Sequence, residues 1–96
     1  MDGVLWHLLA SSRGGEMRTR ILRALDDRPR NANQLAELLE VDYTTVRHHL
    51  DVMMENNVVR KSGDGYGAVY LLSDQVTQHR DTLDEVLGAV DTEAEQ

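Results

Sequence analysis

Polar side chains recur through the middle of the chain, where Tyr43, Thr44, Arg47, His48 and Asp51 follow one another at i, i+3, i+4 spacing. On a helix that spacing gathers them on one face, opposite Val46, Leu50, Met53 and Asn57. The face is rich in hydrogen-bond donors: one planar guanidinium, one imidazole and two hydroxyls. A guanidinium fork matches paired acceptors, and the O6/N7 edge of guanine in a major groove is such a pair. Arg47 is the candidate for that contact, Tyr43 and Thr44 for phosphate or a thymine methyl, and His48 for a base or phosphate. Asp51 fits least well, because a carboxylate repels phosphate unless it pairs with an arginine or accepts from a cytosine amino group. An ordinary solvated helix face would show the same spacing. His49 lies nearer the apolar side and reads as a packing residue. His48 and His49 do not form a metal pair, since neighbours on a helix point about 100° apart.

The elements that must position this face are legible on either side of it. Val4–Ser11 is apolar enough for a short helix, and the Ser11–Gly15 stretch SSRGG breaks it. Glu16–Asp26 restarts as a helix with Met17, Ile21, Leu22 and Leu25 on one stripe and Arg18, Arg20 and Arg23 elsewhere, ending by Arg28 because Pro29 follows. Asn33 suits the N-cap of the next helix, and an alternative box of Asn31 with Gln34 would start it two residues earlier. Leu35, Ala36, Leu38 and Leu39 form that helix's expected buried side. Asp42 caps the helix Tyr43–Asn57, and Asn56-Asn57 ends it. Val58–Ser62 and Tyr66–Leu72 are β-prone runs on either side of Gly63-Asp64-Gly65, a hairpin signal. Asp74–Val90 closes as a helix capped by Ser73 or Asp74, followed by an acidic tail, 91–96, expected to be disordered.

Helix, helix, short strand, helix, helix, hairpin, helix is mainly α with a small β-hairpin: a winged helix-turn-helix domain flanked by N- and C-terminal helices. The whole chain, 1–96, reads as a single domain, with an N-terminal helix over 1–12, the winged unit over 15–72 and a C-terminal helix over 73–90. In the hairpin, Arg60 and Lys61 run into the tip and Tyr66 follows it, where a wing lies along phosphates or in a minor groove. Charge protection of an edge strand is the competing explanation. Gln34, at a helix N-terminus, is a further phosphate candidate, as are Arg28 and Arg30.

Bulk composition bounds the rest. Hydrophobic residues make up 41% and charged residues 28%, ordinary for a globular chain. Cysteine is absent, which excludes disulfides, thiolate metal sites and a cysteine nucleophile. No nucleophile–base pair or phosphate loop is visible, so an enzyme is not expected. No apolar run approaches the roughly 20 residues of a membrane span, and a cytoplasmic protein is the expectation. The net charge of −7 is unusual for a chain that meets phosphate. Its distribution is uneven: Arg13–Ser62 holds nine basic and eight acidic residues, and the flanks hold one and nine. Lys61 is the one lysine among ten basic residues, a balance that resembles salt-adapted chains.

The segments RILRAL (Arg20–Leu25), Gln34–Met53, NNVV (Asn56–Val59) and YGAVYLL (Tyr66–Leu72) resemble the ArsR-type winged-helix transcription regulators, most closely their archaeal members. The most specific piece is Thr45, Val46, Arg47, His48, His49, Leu50, and the likeness covers Met17–Leu72. The resemblance implies a homodimer on a pseudo-palindromic double-stranded DNA operator, often released by an effector. Many such regulators sense metals through cysteines, and some through His and Asp/Glu on the last helix. Here that helix offers His79 with Asp81, Asp84 and Glu85 but no second His, so neither metal nor cofactor is expected. Val76, Leu83 and Val90 recur every seven residues with His79 and Val86 between and Leu87 flanking. With Val4, Leu5, Trp6, Leu8 and Leu9 they give more apolar surface than one small core needs, which predicts a homodimer interface at the chain ends. Both helices folding back on their own domain is the alternative. The competing function is a winged-helix protein–protein interaction module without specific DNA binding, which the acidic balance favours and Arg47, Arg60 and Lys61 disfavour.

Overall fold

The computed structural model describes residues 1–11 and 13–94, the side chains of 66 and 91–94 excepted. A short helix α1 (Asp2–Leu5) runs directly into a π-helical segment, Trp6–Ser11. Then come α2 (Gly15–Asp27), α3 (Ala32–Leu39), α4 (Tyr43–Glu55), β1 (Val59–Ser62), a 3-10 turn (Gly65–Gly67), β2 (Val69–Leu72), α5 (Asp74–Gln78) and α6 (Arg80–Ala94). This is the expected winged helix-turn-helix fold, mainly helical with one antiparallel hairpin. Val59 pairs with Leu72 and Ser62 with Val69. Arg30 and Tyr70 exchange two backbone hydrogen bonds of 3.2 and 2.8 Å, so the chain entering α3 lies along the other side of β2.

Local chemistry explains most boundaries. Asn31, not Asn33, caps α3: its side chain accepts from the Gln34 amide at 2.8 Å, and Gln34 reaches back to the Asn31 amide at 2.8 Å. The reciprocal box satisfies two end donors, where Asn33 alone would satisfy one. Glu40 leaves α3 at φ 56 and Asn57 leaves α4 at φ 63, both left-handed. Ser73 ties three elements together. Its hydroxyl donates to the Asn57 carbonyl at 2.7 Å and accepts from the Val76 amide at 3.2 Å, and its own amide donates to the Val58 carbonyl at 3.0 Å.

One hydrophobic core joins every helix, with Ile21, Leu22, Leu35, Val46, Leu50 and Met53 fully buried at its centre. Leu38 departs from the expected buried side of α3 and is 51% exposed. Leu35 and Leu39 occupy that helix's inward stripe, and Leu38 lies about 100° round from Leu39.

The C-terminal helix is interrupted. His79 ends α5 at φ −113, ψ 44, and a second helix starts at Arg80. The seven-residue spacing of Val76 and Leu83 therefore spans a break and is not a continuous seam. Seven of the side chains assigned to a dimer interface (Leu5, Leu8, Leu9, Val76, Leu83, Val86 and Leu87) are buried in the chain's own core. Their apolar surface is covered within one chain, so the surplus inferred from the sequence does not apply to them. Val4, Trp6 and Val90 are half-buried, and His79 is exposed. Arg80 forms a two-point pair with Asp26 of α2, Nη2 to Oδ2 at 2.8 Å, which fixes the start of α6. The helix continues past Val90 to Ala94, so the backbone of 91–94 is helical where disorder was expected; 95–96 lie outside the described residues.

Candidate nucleic-acid interface

The candidate reading face lies along α4. Val46, Leu50 and Met53 anchor its inner side, which turns Tyr43, Thr44, His48 and Asp51 outward and leaves Arg47 half-buried. Tyr43 is 45% exposed although it is a large aromatic. Its hydroxyl accepts from Arg47 Nη1 at 3.1 Å, and the guanidinium carbon lies 5.9 Å from the ring centroid. Asp51, the residue that fitted least well, has Oδ1 4.0 Å from Arg47 Nη2. Arg47 Nε is out of contact with solvent and has no hydrogen-bond partner among the described residues. The hydrogen bond that the guanidinium donates to Tyr43, foremost among the causes, keeps its proton more tightly held than usual.

Arg47 also borders a polar cleft of about 70 Å³, shared with Tyr43, the α3 start at Asn31–Asn33, Lys61 and Tyr70. The cleft brings the outer face of α4 and the hairpin together around two cations. Arg60 points elsewhere, its Nε 3.9 Å from Asp74 Oδ1. Gln34 is exposed at the α3 start but committed to the capping box. The Tyr66 side chain lies outside the described residues. Arg30 is held by the Asp27 carboxylate at 2.9 Å and the Ala24 carbonyl at 3.2 Å, so it is tied into the fold.

Beneath α4 lies an arrangement that the sequence reading missed. Arg18 is a buried cation, only 5% exposed. Its Nε donates to the Leu8 carbonyl at 2.8 Å and its Nη2 to the Arg13 carbonyl at 2.9 Å. Nη1 sits 3.4 Å from His49 Nδ1, on the inner side of α4. His49 is buried as expected. Burial, then the nearby Arg18 charge, then His48, make it harder to protonate than an ordinary histidine. Burial likewise lowers Arg18. The backbone comes close here because of two glycines. Gly14 adopts φ 87, and a Cβ on Gly15 would stand 2.4 Å from the Leu9 carbonyl oxygen. The missed signal was position: Arg18 precedes Ile21, Leu22 and Leu25 by three, four and seven residues, on the stripe of α2 that faces inward.

Residues 15–61 match the family model described as bacterial regulatory protein, arsR family. The chain carries an ArsR-family helix-turn-helix. This is a module of DNA-binding transcription regulators, not of enzymes, and its matched segment contains α2, α3, α4 and the start of the wing. Solved structures with the same fold include Rv0081 of M. tuberculosis, at 21% identity and TM-score 0.70, covering 98% of this chain and 92% of that one. Reduced HlyU from Vibrio cholerae is similar at 19% identity and TM-score 0.66, covering 88% and 81%. The transcriptional regulator BldR from Sulfolobus solfataricus is similar at 19% identity and TM-score 0.69, covering 97% and 68%. At these identities the likeness is one of fold. No curated protein matches the chain in sequence. Among the described residues no helix is long and apolar enough to cross a membrane, and no three His, Asp or Glu side chains converge as a metal site.

Proposed function

We infer that the chain is a homodimeric, sequence-specific DNA-binding regulator. In this reading α4 enters the major groove with Arg47 toward a guanine and Tyr43, Thr44 and His48 flanking it. The wing carries Arg60, Lys61 and Tyr66 along the backbone or into the minor groove, and the start of α3, beside Gln34, meets a phosphate. The observation that carries the reading is the cleft in which Arg47 of the recognition helix and Lys61 of the wing face one space. Two cations so placed suit a base edge and an adjacent phosphate, which is how positioning and reading contacts divide. For the homodimer, half-buried Met1, Val4, Trp6 and Val90 supply an apolar remainder where the N-terminal segment packs on α6.

The test is selection of bound fragments from genomic DNA with purified protein. A pseudo-palindrome with half-sites about 34 Å apart is expected, together with a dimer mass by light scattering. A second reading, a protein-interaction module, is favoured by the exposure of Leu38 at 51% and Tyr43 at 45% on adjacent helices. Failure of any sequence to be enriched would transfer weight to it.

A further inference from the structure

The geometry points to Asp51 as a positioning residue that aims Arg47 at a base edge and makes its use on the phosphate backbone unfavourable. This rests on the DNA-reading role proposed above and extends it to how sequences are told apart. Tyr43, Arg47 and Asp51 are spaced four apart along one stripe of α4, so the guanidinium has one brace before it and one after it. Nη1 donates to the Tyr43 hydroxyl at 3.1 Å, and Nη2 lies 4.0 Å from the Asp51 carboxylate. Each Nη nitrogen carries two hydrogens. The Tyr43 bond occupies one Nη1 hydrogen, while Asp51, beyond hydrogen-bond reach, attracts Nη2 without occupying a hydrogen. Both nitrogens therefore stay able to form the end-on fork offered to guanine O6 and N7. The side-on alternative would use Nε, and Nε is out of contact with solvent. The arginine therefore has one usable edge, and its two neighbours set the direction of that edge.

Helix stabilisation explains Asp51 poorly. The pair runs Arg first and acid second, the weaker order for an i, i+4 pair, and both side chains are about half exposed, at 41% and 54%. On a face that meets DNA the same carboxylate has a second consequence. It repels phosphate in any sequence, a penalty that grows as water is excluded. An unbraced arginine could swing to the nearest phosphate and bind all sequences alike. For Arg47 a swing to a phosphate would give up the Tyr43 hydrogen bond and the attraction of Asp51. General affinity is thereby lowered more than affinity for the right site, and that difference is discrimination.

The experiment measures Kd by fluorescence anisotropy on the selected operator, on that operator with the contacted guanine replaced, and on a shuffled duplex. Wild type, Asp51→Asn, Arg47→Ala and the double variant are compared, with circular dichroism to check the fold. Asp51→Asn is expected to bind the shuffled duplex roughly three- to tenfold more tightly. Its operator-to-shuffled ratio should fall by a similar factor, with relaxed preference at the guanine position. In the Arg47→Ala background the same substitution should leave that ratio unchanged. Equal tightening on operator and shuffled DNA with Arg47 present would overturn the proposal, leaving Asp51 a bystander charge. Weaker binding to both would also overturn it. A wild-type protein with no sequence preference would overturn the DNA-reading role itself, and this inference with it.

Discussion

The two sides of α4 put the same residue types to opposite uses. On the inner side Arg18 and His49 are buried, and the guanidinium is fixed by backbone carbonyls at Leu8 and Arg13. On the outer side His48 is exposed, and Arg47 leans on Tyr43 and Asp51 of its own helix. A cation held by the backbone of separate segments belongs to the fold. One held by exposed neighbours a turn away can exchange them for a new partner while the helix stays intact. Substitutions on the two sides should therefore separate stability from discrimination.

The largest effect is expected beneath the helix. A methyl group at Gly15 would lie 2.4 Å from the Leu9 carbonyl oxygen, and backbone cannot swing aside as a flexible side chain would. Gly15→Ala must push the π-helical segment off α2, at a cost of about 2–3 kcal/mol in urea unfolding. The folded fraction should keep its wild-type ratio of specific to general DNA binding. A variant as stable as wild type would mean that the joint is looser than its geometry indicates.

Arg47→Ala should do the reverse. Operator affinity is expected to fall roughly ten- to a hundredfold, with an unchanged urea midpoint. Were the midpoint to fall as well, Arg47 would belong with Arg18 and the contrast between the two sides would collapse. Lys61→Ala is the milder outer-side case. Lysine at the cleft edge is assigned to phosphate, so all sequences should weaken by a similar small factor and the salt slope should drop by about one. A change confined to the operator would move Lys61 into the reading set.

The outer side was the more legible one because helical period alone decides it. Val46, Leu50 and Met53 fix which way α4 faces, and the polar residues opposite follow. The same rule, applied to α3, puts Leu38 inside because Leu35, Ala36, Leu38 and Leu39 crowd the end of so short a helix, and only three-dimensional packing chooses among them. The N-cap of α3 was open between Asn31 and Asn33 until the reach of Gln34 decided it. At the C-terminus the seven-residue recurrence of Val76, Leu83 and Val90 suggested a continuous seam. No glycine or proline marks the break at His79, so no residue type there divides the helix. Arg18 was hidden for a different reason: an arginine is assigned outward by type, although its spacing from Ile21 and Leu22 assigned it inward. The two glycines before it signal a helix break, while Gly15 also permits the close approach that brings the Leu8 and Leu9 backbone over α2.

The smallest expected effect tests the inner side through pH. His49 Nδ1 faces Arg18 Nη1 at 3.4 Å, an arrangement in which the neutral ring accepts and Nε2 carries the proton. Burial first, then the Arg18 charge, then His48, hold the folded ring's pKa below the ordinary 6.5. The unfolded chain therefore takes up a proton at that position before the folded chain does. Stability from the neutral ring is fully present above the ordinary value and is lost as pH falls through the lowered one. Thermal melts between about pH 7 and pH 5 should show Tm declining in wild type. His49→Asn keeps an acceptor for Arg18 but takes no proton, so its decline should be shallower. Equal slopes would remove His49 from the pH response. A shallower slope would assign part of it to the same Arg18 joint that holds Leu8 and Arg13, with the outer face of α4 unaffected.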